Sequence, residues 1–306
     1  MDIVRLGNLQ VSLFLMILVG LILRKKNIID ERGKRCLTDV CVDVIIPCNI
    51  IKSCLISFEG NLFVTCGRIL AVGAILQLIF MGLNRFLFNR YPETQKKVLQ
   101  YGTLVSNGGF LGYPVAERVY GAQGLFYASV FLIPLRMVMW SVGTSYFVSQ
   151  QMSRRQVLKK VLTHPCLIAV YIGSFLMVTQ LQLPAFLTMT VKYIGSCNAA
   201  ITMFIIGTIL ADVPLLTIFN RDSLLYSVLR LVLLPALAWG VSAVLQLDPM
   251  GTGIAVLMTG MPAGATTAIF AARYGSDAPF ATKLTVLSTL LSMFTILFWC
   301  TILPEP

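Results

Sequence analysis

The sequence predicts an all-α polytopic membrane protein: ten transmembrane helices forming two inverted five-helix repeats, with broken helices 4 and 9 crossing. Three observations carry this. Of the 306 residues, 57% are hydrophobic and only 12% are charged, whereas about a quarter of the residues of a soluble domain are charged. Apolar runs of nearly 20 residues, the length that crosses a hydrocarbon core about 30 Å thick, recur ten times along the chain. Two of these runs, the fourth and the ninth, are interrupted by Gly and Pro at corresponding places.

Taken in order, the runs extend from Leu6 to Leu23, Cys36 to Ser57, Leu62 to Leu83, Val98 to Val119 and Gly124 to Val148, and then from Pro165 to Val178, Lys192 to Leu210, Ser223 to Leu245, Gly251 to Arg273 and Pro279 to Ile302. The first is long enough to span, and no small-residue cleavage site separates it from the basic stretch that follows, so it is read as a span and not as a signal peptide. The formal net charge is +11. Most of the 24 basic residues fall in alternate loops: Arg24, Lys25, Lys26, Arg32, Lys34 and Arg35 in the first, Arg85, Arg90, Lys96 and Lys97 in the third, Arg154, Arg155, Lys159 and Lys160 in the fifth. Lys and Arg in short loops are retained in the cytoplasm. Both termini are therefore expected outside it, in a multi-pass protein of the bacterial inner membrane. The positive charge then has a topological cause, and nucleic acid is excluded as a partner. The eight cysteines are scattered singly, with no CxxC pair and no cluster around His164, the one histidine, so neither a metal site nor a disulfide framework is expected.

Five spans and a basic loop end near Lys160, which divides the chain into 1–160 and 161–306. Tyr120-Gly121-Ala122-Gln123-Gly124-Leu125-Phe126 aligns with Tyr274-Gly275-Ser276-Asp277-Ala278-Pro279-Phe280, each joining the fourth span of its half to the fifth. Because five is odd, the second half enters from the opposite side, as inverted repeats do.

The fourth span contains Ser106-Asn107-Gly108-Gly109-Phe110-Leu111-Gly112-Tyr113-Pro114, and the ninth Thr259-Gly260-Met261-Pro262-Ala263-Gly264-Ala265-Thr266-Thr267. Gly weakens a helix and Pro removes a donor, so both segments are expected to unwind, which lipid tolerates only where the backbone lines a polar cavity. Half-helix N-termini, each with roughly half a positive charge, would then favour an anionic group near mid-membrane. Small residues also serve close helix packing, but their paired placement argues for a binding site made by Asn107, Gly108, Gly109, Pro114, Pro262, Ala263, Gly264, Thr266 and Thr267.

With these segments, Trp140-Ser141-Val142-Gly143 and Ala272-Arg273-Tyr274-Gly275, the whole chain resembles the auxin efflux carrier family, which joins plant PIN exporters to bacterial permeases for malate, malonate and similar acids. The resemblance implies a fold like that of bile-acid sodium symporters, with a scaffold part beside a transport part that holds the crossed helices, and transport of small organic anions. The chain departs from the family where Ala200 replaces a proline before Gly207, and where Arg136 stands in a region usually uncharged.

Lys52, Arg68, Lys192, Arg230 and Lys283 lie within reach of a membrane surface and are expected to snorkel. Arg136, near the middle of span five, is not, and its fork is expected to hold a carboxylate, either of substrate or of a structural ion pair. Asp39 and Asp43, four apart before Pro47, are the expected coupling residues, since like charges this close favour holding a proton. Asn49 joins the cavity candidates, and Glu117 is expected to be simply solvated. Phe110, Tyr113 and Phe270 are expected to wall a pocket that would suit aromatic acids and dicarboxylates equally.

No GxxxxGK[ST] loop is present, which argues against ATP-driven transport by this chain alone. No nucleophile and base meet at membrane depth, so no enzyme and no cofactor are expected. The expectation is a secondary active transporter of carboxylates such as malate, malonate or auxin-like acids, working by alternating access, with a membrane-embedded sensor as the alternative. Its partners would be the organic anion, protons in preference to sodium, and the lipid bilayer, with homodimer formation left open.

Overall fold

The computed structural model describes residues 3–55, 62–147, 153, 155–156, 159, 162–211 and 218–303. The expected span ends at Ser57 and Val148, and Arg154 and Lys160 of the fifth loop, lie outside the described residues. The described residues form helices joined by turns and short loops, with no strand among them beyond one isolated antiparallel bridge between Ser106 and Ala263. The helices are α1 (Ile3–Lys25), α2 (31–54), α3 (Leu62–Leu87), α4 (Glu93–Leu104), α5 (Gly108–Val138, continued by helical turns to Phe147), α6 (Pro165–Thr179), α7 (Ala185–Ala211), α8 (Arg221–Val244), α9 (Pro249–Thr259), α10 (Thr266–Arg273) and α11 (Ala278–Ile302). Among the described residues five helices are long and apolar enough, by length and composition, to cross a bilayer: Val64–Leu87 within α3, and α5, α7, α8 and α11, of which α5 is broken at Gly121. Pro165–Leu176 and Pro249–Thr259 are apolar but shorter.

Proline accounts for three of the four described π-turns, Met139–Gly143 being the one with no proline beyond it. The turns over Cys41–Ile45, Gly108–Gly112 and Leu229–Leu233 are π-wound, and each ends two residues before a proline, Pro47, Pro114 or Pro235. In each case the residue just ahead of the proline donates its N–H to the carbonyl five residues back. A proline has no N–H to return and its ring crowds the preceding turn, so one widened turn absorbs the mismatch without ending the helix.

Glycine sets the corners. Gly121 (φ 69) turns α5 back on itself and Gly275 (φ 67) separates α10 from α11; no other glycine among the described residues has positive φ. These are the two glycines aligned by the internal sequence match. Glycine also sets the closest helix contact, where α1 lies along the second half of α7: a Cβ added at Gly207 would land on the Ile17 carbonyl, and one at Gly20 on that of Phe204. One continuous apolar core runs through the described helices. Exposed apolar side chains such as Leu78, Phe175, Phe186, Tyr193 and Phe294 face outward, as lipid-facing residues do.

Candidate functional site

The two interrupted segments meet. The Asn107 N–H donates to the Pro262 carbonyl at 2.8 Å, and the Gly264 N–H to the Val105 carbonyl at 3.0 Å, on either side of the Ser106–Ala263 bridge. Gly264 is needed for this approach, since a Cβ there would sit 3.2 Å from Val105 Cγ1 and 3.3 Å from its carbonyl. The Ala263 N–H donates to Ser288 Oγ at 3.3 Å. Arg230 completes the junction: its Nε donates to the Met261 carbonyl at 2.9 Å and its Nη1 to the Thr103 carbonyl at 2.8 Å. Arg230 is 1% exposed. It does not snorkel as expected, because its fork is spent on carbonyls that the broken helices leave open. The junction therefore satisfies much of its backbone within the protein, and the carbonyl of Pro262 and the N–H of Ala263 are occupied.

Beside this junction lies a cavity of about 130 Å³, lined by Val42 and Ile46 of α2, Val105, Ser106, Asn107, Gly109 and Phe110 at the first break, Leu132, Leu135, Arg136 and Met139, then His164 and Cys166, and Gly264, Ala265 and Thr266 at the second break. Asn107, Gly109, Arg136, Gly264 and Thr266, all singled out in the sequence, line this one cavity. Gly108 packs against Leu132, and Pro114 and Ala263 are buried off the cavity wall. Thr267 is fully buried, and its Oγ1 has no partner. Asn49 does not line the cavity; its Nδ2 donates to Glu117 Oε2 at 2.9 Å, and Lys52 Nζ lies 3.0 Å from Glu117 Oε1. Glu117 is thus paired and not merely solvated, and Lys52 has a partner in place of a snorkelling role. Asp39 and Asp43 are exposed and absent from the lining, though Val42 beside Asp43 belongs to it. Phe270 stacks in a cluster with Tyr101, Phe147 and Tyr274 instead of walling the cavity.

Three sources of positive potential surround the cavity. The first is Arg136, 7% exposed, whose Nη2 donates to Tyr113 Oη at 2.6 Å while its Nη1 has no acceptor among the described residues. No carboxylate pairs with Arg136 among the described residues, so the structural ion pair that the sequence left open is not found there. The second is the N-terminus of α5, where the Leu111 and Gly112 N–H groups are the first to bond within the helix, both to the Asn107 carbonyl; the N–H groups ahead of them have no intrahelical acceptor. Asn107 makes no side-chain cap there, which leaves its carboxamide to the cavity. The third is the N-terminus of α10, where Thr266 Oγ1 accepts from the Tyr101 hydroxyl at 3.0 Å and keeps its own proton to donate. Among the described residues the lining contains no acidic side chain.

Local composition pointed to Gly and Pro but missed Arg230, Ser288 and His164. The one available signal for Arg230 was an arginine inside an apolar run, five residues before Pro235.

Apolar helices of spanning length around a buried, positively biased cavity at a double helix break define a polytopic membrane transport protein. The chain belongs to the family described as membrane transport protein, whose model matches residues 9–157 and 149–300; this is the auxin efflux carrier family that the sequence resembles. It is 25% identical to an uncharacterized transporter of Methanothermobacter thermautotrophicus, over 95% of this chain and 96% of that one. It is 22% identical to an uncharacterized transporter of Methanocaldococcus jannaschii, over 93% and 94%.

Proposed function

We propose that the chain is a secondary active transporter of small organic anions, carboxylates of the malate, malonate or auxin-like kind, held at the junction of the two broken helices. The observation that carries this reading is Arg136, a buried guanidinium with an unpartnered Nη1 on the wall of a cavity free of acidic groups. A buried charge left unsatisfied is costly, and an anion from outside that completes its hydrogen bonds removes that cost.

The ten-span, inverted-repeat framework in the inner membrane, with both termini outside the cytoplasm, belongs to the same proposal. The shared positive φ of Gly121 and Gly275 supports the repeat, and the basic loops support the orientation. Alternating access fits the distribution of contacts along α2. Val42 and Ile46 reach the cavity, while Asn49 and Lys52, further along toward the opposite membrane face, bind Glu117. The cavity would thus face the cytoplasm while the Lys52–Glu117 pair closes the other side. Proton coupling would draw on Asp43, next to the cavity-lining Val42, with Asp39 a turn earlier.

The test is calorimetric binding of malate, malonate and indole-3-acetate to the detergent-solubilised full chain. Arg136→Gln is expected to weaken the acid that binds by roughly 10- to 100-fold, the range of a hydrogen bond to a charged group. Unchanged affinity in this variant would place the anion elsewhere.

A further inference from the structure

A guanidinium attracts any carboxylate, so choosing among acids takes a second contact, and the residue positioned to supply it is His164. This histidine is the N-cap of α6, with its Nδ1 accepting the Cys166 N–H at 3.3 Å. A ring nitrogen that accepts carries no proton, so the single proton of the neutral imidazole sits on Nε2. Nε2–H has no acceptor among the described residues, and His164 lines the cavity together with Arg136.

Protonating Nδ1 would break the cap and put a full positive charge on a helix N-terminus, where the dipole already opposes it. Burial, with the charge of Arg136 added, holds this imidazole down at about 4. The elements packed against α6 are α2 and α5. On α5 the relevant groups are Arg136 and the Tyr113 bound to it. On α2 they are Asp43, exposed to the outside, buried Cys41, and Lys52, already paired with Glu117. None of these gives the ring a buried anionic neighbour.

We propose that His164 is an uncharged, Nε2-protonated donor that reads a second acceptor group on the anion whose carboxylate Arg136 holds. The inference rests on the organic-anion reading of this cavity. At about 130 Å³ the space is well below the roughly 300–1,000 Å³ of pockets for drug-sized ligands. The acid that meets both anchors is therefore short: a carboxylate with a second carboxylate, hydroxyl or carbonyl a few bonds away. His164 takes up no proton when that acid binds, so it adds no pH dependence to the affinity across the neutral range.

The experiment compares malonate with propionate, its partner lacking the second carboxylate, by calorimetry on the full chain and on His164→Asn and Arg136→Gln. Asparagine is among the best N-caps, so His164→Asn keeps the acceptor for Cys166 N–H, and its melting temperature should match wild type. The wild type is expected to prefer malonate by about tenfold or more, the worth of a lost hydrogen-bonding partner in a site built for it, and His164→Asn to bring malonate down to the propionate level. Any change in malonate affinity between about pH 6.5 and pH 8 is expected to be the same in wild type and His164→Asn. A His164→Asn protein that keeps the wild-type preference overturns the proposal, as does malonate affinity that climbs toward pH 6.5 in the wild type alone. Malonate affinity that is unchanged in Arg136→Gln, or no binding of malonate or propionate to any form, instead overturns the anion reading beneath it.

Discussion

Two buried arginines illustrate how the same residue type divides between structure and function. Arg230 donates to two backbone carbonyls that have no other described partner, those of Thr103 and Met261. Arg136 donates to one phenol and keeps an Nη1 free on the cavity wall. Each buried group left without a partner costs about 1–3 kcal/mol. Arg230→Met orphans both carbonyls and should lower thermal stability sharply, or prevent a monodisperse preparation. Arg136→Gln removes an unsatisfied charge, so the melting temperature without ligand should be unchanged or higher while binding falls, as is common where a site is held at the expense of stability. Melting curves of the two variants in one detergent decide it; an equal loss in both would contradict the division of roles.

At the scale of elements, packing rests on a few glycines whose neighbours are backbone and cannot yield. Gly207→Ala would press a methyl onto the Ile17 carbonyl and the Leu21 N–H, where α1 crosses α7. Gly67 and Gly82 on α3 have open space around an added Cβ. Gly207→Ala is expected to lower the melting temperature, whereas Gly82→Ala should be neutral or slightly stabilising, since alanine is the better helix former by about 1 kcal/mol. A neutral Gly207→Ala would show that the crossing is looser than described. This contrast also marks how far the sequence could be read. The positions of the helix breaks were legible, because Gly108-Gly109, Pro114, Pro262 and Gly264 are local signals with a fixed backbone meaning. What fills the breaks was not: Arg230 reaches Met261 across 31 residues and Thr103 across 127, and no local pattern encodes such a pairing. Asn49 and Glu117 were misplaced for the same reason, since each was judged by its own depth and not by the other, 68 residues away. His164 was not singled out as a binding residue because its cap and its cavity neighbour Arg136 come together only in the fold.

For the molecule as a whole, family membership and near full-length similarity to two uncharacterized transporters fix the class. The mechanism proposed for it requires the cavity to exchange sides. A sensor with the same site would bind but not move its ligand. Flux separates them, and the most direct measurement is uptake of radiolabelled malate and malonate into proteoliposomes, with and without an imposed pH gradient, for wild type and Arg136→Gln. The account predicts saturable uptake in wild type that is lost in Arg136→Gln. Binding without flux under any gradient, in protein shown to be correctly oriented, would contradict it.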